Sequence, residues 1–379
     1  MTIEAGMTGP LDGARRILAV RLDAMGDVLM TTPALRALRR GAPDAHLALL
    51  TSPAGASVAG LLPELDETIV YEAPWMKATP AGRDPRLDRA FIRDLAARRF
   101  DAAIIFTVHS QDPLPAALTC YLAGIPRRIA HTQVKGYQLL TDPVADREVA
   151  LPTRHEVRRQ LDLVEAFGFV PDDDHLSVRV PPEASHRMRR WAARRALLDG
   201  GPWAVLHPGA SAPSRRYPPE RFAAAADRLA LEAGWRIVLA GGPSDVSLLG
   251  AIERSMRAAA IRGPVDASVA DLAALLSIAP VLIGCNSGPA HLAAAVGTPV
   301  VVAYALTNRQ HTPWGVPSRV LTHDVPCRDC GKSICPMGHH ACMQGIDPDE
   351  IVTAALELVP GTGRRARRAP LAVVERIAG

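Results

Sequence analysis

The first continuous apolar run of the chain, ILAVRL at residues 17–22, has the length and composition of a buried parallel strand. From about Val28 the spacing changes. Leu29, Leu35 and Leu38 fall on one face and Arg36, Arg39 and Arg40 on the other, the period of an amphipathic helix. Between them lies a tight turn, Asp23-Ala24-Met25-Gly26-Asp27. The alternation continues with strands expected at 46–51, 67–71, 101–106 and 127–130, and helices at 53–62, 87–99 and 114–123. The pattern fades over 132–152, resumes as a helix at 155–167, and breaks at 168–182, where Pro171, Pro181 and Pro182 mark a hinge. A second series follows, with strands at 203–207, 236–240, 281–284 and 299–304. Its helices fall at 188–198, 219–232, 246–258, 269–277 and 347–359. Strands alternating with helices predict an α/β fold of two doubly wound domains. The expected division is a flexible N-terminus at 1–14, domains at 15–180 and 181–359, and a basic tail at 360–379.

Composition narrows the function. A chain of 379 residues with 48% hydrophobic and 22% charged residues is a two-domain globular protein. A net charge of +4 and only 4% aromatics argue against a nucleic-acid binder. No apolar run reaches the roughly 18 residues of a membrane span. Residues 1–13 lack the basic and apolar regions of a signal peptide, so a cytoplasmic location is expected, with peripheral contact at the inner face of the cytoplasmic membrane left open. Of six cysteines, four crowd into one segment as Cys327-x2-Cys330-x4-Cys335-x6-Cys342. In a reducing compartment this crowding points away from disulfides. A structural zinc site and a set of reduced, redox-sensitive thiols are both compatible with it. The Asp172-Asp173-Asp174 triplet reads as a solvated loop.

The turn at 23–27 follows a strand end, where open α/β sheets bind ligands. Gly26 lets backbone approach a ligand, and Asp27 is either a helix N-cap or a general base on the floor of a cleft. His109 follows the strand at 101–106 on the same side. The loop at 72–85, with Trp75, Lys77 and Arg83, has the composition of a functional loop. Arg36, Arg127, Arg128 and Lys135 are candidate ligand-binding cations in the first half. In the second half, three glycine turns follow strands: Gly209, Gly241-Gly242 and Gly288. Each places backbone N–H groups at a helix start, which favours anions. With Ser211, Ser214, Arg215 and Arg216 they outline a nucleotide-diphosphate pocket in which arginine supplies permanent charge. In Asn286-Ser-Gly-Pro-Ala-His291, Ser287 can cap the helix and His291 can donate to a phosphate or sugar oxygen. Dinucleotide and P-loop fingerprints are both absent.

Four stretches carry a resemblance: RLDAMGDVLMTTPALRALR, HPGASAPSRRYPPERF, IVLAGGP and NSGPAHLAAAVGTP. In this order, over about residues 15 to 359, the chain resembles glycosyltransferase family 9, the ADP-heptose:lipopolysaccharide heptosyltransferases. The resemblance implies the GT-B architecture, two Rossmann-like domains facing across a cleft, with the acceptor side N-terminal and the nucleotide-sugar side C-terminal. It implies an inverting transfer of a heptose-type sugar from an ADP-sugar donor to a lipid-linked or oligosaccharide acceptor, with no cofactor required for catalysis. Asp27 falls at the family's proposed general base. Arg215 stands where lysine is frequent, at the donor pyrophosphate, with Arg216 beside it. Ser287, Gly288 and His291 match the donor-binding motif. Asn286 replaces an Asp found in many members, which keeps hydrogen bonding but removes a charge. Two rival readings are a nucleotide-sugar epimerase of similar architecture and a non-catalytic sugar-nucleotide or glycan-binding protein.

Overall fold

The twelve strands found among the described residues form two six-stranded sheets, and every pairing is parallel. The structure, a computed structural model, describes residue 11 and residues 13–146, 154–264 and 266–360. The expected N-terminal segment lies mostly outside this range, and so does all of the basic tail but its first residue.

The first unit runs β1 (Arg16–Arg21), α1 (Met25–Gly41), β2 (His46–Thr51), α2 (Pro53–Ala59), β3 (Glu67–Val70), α3 (Pro85–Ala97), β4 (Ala102–Ile105), α4 (Leu114–Leu122), β5 (Arg127–Thr132), β6 (Asp142–Ala145) and α5 (Glu156–Glu165). The second runs α6 (Pro182–Ala193), β7 (Trp203–His207), α7 (Pro219–Leu231), β8 (Arg236–Leu239), α8 (Val246–Ser255), β9 (Ile261–Arg262), α9 (Val269–Leu276), β10 (Leu282–Cys285), α10 (Gly288–Ala295), β11 (Val300–Ala303), β12 (Ser318–Leu321), α11 (Ala341–Gln344) and α12 (Pro348–Leu358).

The sheet orders are β3-β2-β1-β4-β5-β6 and β12-β11-β10-β7-β8-β9. Counted from its own first strand, each sheet has the same order, that of the dinucleotide-binding doubly wound fold. The central strands β4, β7, β10 and β11 are buried at every residue, as helices on both faces require. In each sheet the crossovers reverse direction beside the first strand, so a crevice opens there at the carboxyl ends. The crevice of the first unit is bounded by the turns after β1 and β4, that of the second by the turns after β7 and β10.

Three strands escape the sequence pattern: β6 inside the expected loop at 132–152, together with β9 and β12. All three are edge strands. Their residues are only partly buried or exposed, so the hydrophobic signal is weak. An edge also tolerates Pro143 in β6. Helix α1 begins earlier than expected. Ala24 is its N-cap, and Asp27 sits within the first turn instead of capping it. The expected hinge is held at several points. Arg36 of α1 reaches Asp173 at 2.5 Å, the His175 carbonyl at 2.7 Å and Ser177 at 2.9 Å, while Trp314 Nε1 donates to Asp174 O at 2.8 Å. Arg36 is therefore occupied in tying the connection between the units.

The N-terminal ends of α1 and α10 abut across the two units. A Cβ on Gly26 would lie 2.8 Å from Cδ2 of His291, and one on Gly288 would lie 2.4 Å from Cε of Met25. The two cases differ in what must yield. His291 is a buried ring, whereas Cε is the free end of a flexible side chain. Gly26→Ala is expected to cost about 1–3 kcal/mol, and Gly288→Ala clearly less. Equal losses of thermal stability in the two variants would show that the contact is looser than drawn.

Candidate active site

The residue that sequence reading passed over is Arg21. It closes an otherwise apolar strand and is fully buried. Its Nε lies 3.1 Å from Asp23, and its Nη2 lies 2.9 Å from Glu156 Oε1 and 3.4 Å from Asp27 Oδ1. Burial works against the guanidinium charge, but Asp23, Glu156 and Asp27 outweigh it and hold the group above its ordinary value. A charged residue at the end of a buried strand was the available signal, because such a charge is kept only when paired.

The three carboxylates differ in environment. Asp23 is raised to about 6, chiefly by burial against the pull of Arg21; Gln111 Nε2 donates to it at 2.6 Å. Glu156 is completely buried. Burial opposes its charge, yet Arg21, His311 and Arg159 hold it far below the usual carboxylate range. Asp27 is the most accessible of the three, its side chain 18% exposed. Its Oδ2 accepts the Ala24 N–H at 3.2 Å, which fixes one oxygen at the start of α1.

Asp23 and Asp27 line a cavity of about 920 Å³ between the units. Trp75 and Lys77 of the 72–85 loop stand on the same wall, as expected; Arg83 does not, being paired with Glu72 and Asp88. Ser211 and Ser333 enter from the second unit. Lys77 Nζ donates to Ser333 Oγ at 2.7 Å, while Ser214 donates through N to Ser333 O and through Oγ to Lys332 O. The cysteine-bearing loop thus ties the loop after β7 to the opposite wall.

Several expected site residues lie elsewhere. Arg127 and Arg128 open β5, at the end of the sheet away from the cleft. Arg127 is paired with Asp142 through two contacts of 3.0 and 2.8 Å, and Arg128 donates to the carbonyls of Gln138 and Leu139, each at 2.7 Å. His109 follows β4 but does not line the cavity; Thr107, Gln111 and Asp112 of that turn do. Gly26 admits the His291 ring.

In the second unit, Gly209 and Gly241 make room for Asp245, whose carboxylate would meet a Cβ on Gly209 at 2.6 Å. Its Oδ2 accepts the Gly242 N–H at 3.1 Å. The Gly241-Gly242 turn is therefore filled by a protein anion. Ser287 is the N-cap of α10, but its hydroxyl donates to Cys285 O at 3.3 Å instead of capping. Asn286 and His291 are buried beside it, and Asn286 Nδ2 and His291 Nδ1 have no hydrogen-bond partner among the described residues. Burial, aided by His311, His155 and Arg215, pushes His291 down to about 3, so its ring is neutral at pH 7. Arg216 donates to Ala210 O at 2.9 Å and shapes the loop. Arg215 is half-buried and pairs with no described acidic side chain, which leaves its charge for a ligand.

Among the described residues no group of three or more His, Cys, Asp or Glu is gathered to hold a metal ion. Cys327 Sγ lies 3.9 Å from His339 Nε2. Cys335 is held below the usual thiol value: its slight burial is outweighed by backbone N–H groups, first those of His340 and Met337.

Two sheets of one topology, facing each other over a cleft lined from both sides, define the GT-B class of sugar-transferring enzymes. The chain belongs to glycosyltransferase family 9 (heptosyltransferase), whose family model matches residues 88–341. It is 25% identical over 297 residues to lipopolysaccharide heptosyltransferase 3 of Escherichia coli (strain K12), covering 76% of this chain and 81% of that one. The crystal structure of the glycosyl transferase family 9 from Veillonella parvula DSM 2008 is similar at a TM-score of 0.75 and 24% identity, over 91% of this chain and 97% of that one. The structure of E. coli ADP-heptose lps heptosyltransferase II is similar at a TM-score of 0.69 and 21% identity, over 91% and 98%. The protein is thus a glycosyltransferase.

The buried pair gives a pH signature. A carboxyl depressed on folding stabilises the fold above its unfolded value, near 4.5, and loses that contribution as pH falls. Glu156→Gln is expected to cost about 3–5 kcal/mol at pH 7. Its deficit in thermal stability should shrink below pH 4.5. A deficit that holds constant into acid would mean that the Glu156 charge does not stabilise the fold.

Proposed function

We propose that this protein is an inverting glycosyltransferase that moves a heptose-type sugar from an ADP-sugar to a lipopolysaccharide core or related glycan, with Asp27 as general base. One observation carries the reading. Asp27 is an accessible carboxylate on the cavity wall at the switch point of the first sheet, and the donor-side loop bearing Ser211 and Arg215 enters the same cleft from the second unit. The names of the E. coli relatives supply the donor and acceptor class.

In this reading an acceptor hydroxyl oxygen attacks the anomeric carbon from the face opposite the diphosphate. Its proton passes to Asp27 as the new C–O bond forms, and the electron pair of the old C–O bond leaves with the diphosphate. Departure requires positive charge at the phosphates. Arg215 provides it from a fixed, half-buried position, so no metal ion is needed for that task. Neutral His291 and buried Asn286 are placed to hydrogen-bond the donor at the start of α10.

With ADP-heptose and a truncated lipopolysaccharide core, Asp27→Ala should lose at least about 100-fold in turnover, while calorimetry shows donor binding near the wild-type level. Retained turnover would remove Asp27 as the base. Arg215→Ala should weaken donor binding about tenfold, in line with about 1.5 kcal/mol for a hydrogen bond to a charged group. In a thermal-shift comparison of ADP-, UDP- and GDP-sugars, the ADP compound should stabilise most; preference for a uridine or guanosine donor would defeat the heptosyl assignment.

A further inference from the structure

Arg21 faces three carboxylates in a pocket that is mostly closed to water, and Arg159 adds a second positive charge near Glu156. Buried carboxylates of this kind are costly unless cations and hydrogen-bond donors meet each oxygen. Neutral donors take part of the load. Gln111 serves Asp23, Gln160 donates to Glu156 Oε1 at 2.5 Å, and the Ala24 N–H serves Asp27 Oδ2. Two oxygens remain. Asp27 Oδ1 has only the 3.4 Å contact to Arg21 on its inner side, and Glu156 Oε2 is buried with no hydrogen-bond partner among the described residues.

His311 lies between these two oxygens. Its Nδ1 is 3.8 Å from Asp27 Oδ1, and its Nε2 is 3.8 Å from Glu156 Oε2. The ring is buried, and Nε2 has no hydrogen-bond partner. It arrives from the other unit, on the segment after β11. That segment is pinned on both sides of the ring. The Glu156 N–H donates to Gln310 O at 2.9 Å, and the His155 ring meets Thr312 O at 2.9 Å while stacking on Trp314 at 4.3 Å between centroids. The other titratable groups facing the ring are Arg21, through the shared carboxylates, and His155 and His291. Burial pushes those two histidines down to about 4 and about 3, so neither competes for the carboxylates as a cation.

We propose that His311 is a positioning residue for Asp27, its two ring nitrogens facing Asp27 Oδ1 and Glu156 Oε2, so that the second unit completes the base of the first. At 3.8 Å each contact is longer than a hydrogen bond, and catalytic contacts are often long in a free enzyme and tighten once substrate is bound. The ring thereby sets the direction of Oδ1, the oxygen that Ala24 leaves free. The assignment rests on the reading of Asp27 as base.

The test is steady-state transfer from ADP-heptose to a truncated lipopolysaccharide core by the full chain. His311→Gln should lower kcat about 100-fold, the usual result of a misplaced catalytic group, with the donor and acceptor KM within twofold. His311→Ala, which opens a ring-sized space beside Asp27, should regain part of its kcat when imidazole is added. If His311→Gln does not fold, His311→Asn is measured in its place. Its amide keeps the contact to Asp27 but not that to Glu156, and kcat should fall at least tenfold. A kcat within threefold of wild type, or a loss confined to KM, overturns the assignment, as does a His311→Ala variant that imidazole does not improve. Asp27→Ala is run in parallel. If it is inactive while His311→Gln is unimpaired, only the His311 role fails; if it is active, the base reading fails first.

Discussion

A single buried guanidinium governs the centre of this molecule. Arg21 ends the strand beside which the crossovers of the first sheet reverse, so its side chain emerges where the crevice opens. Removing such a charge from water is expensive, and the cost is offset only by carboxylates held at close range. Asp23 and Asp27 come from the next turn of chain, but Glu156 comes from α5, 135 residues away. The pairing therefore draws α5 against the segment after β11 and brings Gln310 and His311 with it. The direction of the proposed base, the seating of α5 and part of the contact between units all depend on how one cation is shared.

Much of the architecture was legible in the chain. The strongly apolar runs β1, β2, β4, β7, β8, β10 and β11 were visible because they are buried on both faces, and the helices between them because they are amphipathic. Of the four edge strands only β3 was visible, because an edge strand has less need of apolar residues; β6, β9 and β12 show this directly. The site divides in a similar way. Asp27, Trp75, Lys77 and Ser211 were readable because they sit in turns and loops after strands, on the ligand side of the sheet. Arg21, Glu156 and His311 were not, because their meaning comes from one another. Arg21 alone leaves a local trace, as a charge ending a buried strand, and only tertiary packing brings three acids, a cation and an imidazole to one point.

The glycines give a related lesson. Reading Gly26, Gly209 and Gly241 as space for a ligand is sound chemistry, since a missing Cβ permits close approach. In the folded chain the space is taken by protein: by the ring of His291 for Gly26, and by the carboxylate of Asp245 for Gly209 and Gly241. Likewise Arg127 and Arg128, which looked like free cations, are satisfied by Asp142 and by backbone carbonyls. Arg215 differs from them because nothing acidic is provided for it.

The bare meeting of α1 and α10 has a mechanical consequence. Where Gly26 and Gly288 replace longer side chains, the two backbones come close, with the buried His291 ring and the end of the Met25 side chain packed against the glycines. Any rotation of one unit on the other that preserves this touch has its fulcrum there. Displacement grows with distance from a fulcrum. The Lys77–Ser333 bond at the cleft wall would then travel far, while Asp27, one residue from Gly26, would hardly move. With Asp27 as the proposed base, such a rotation would open the cleft about a point beside the reacting atoms and leave the carboxylate nearly where it stands.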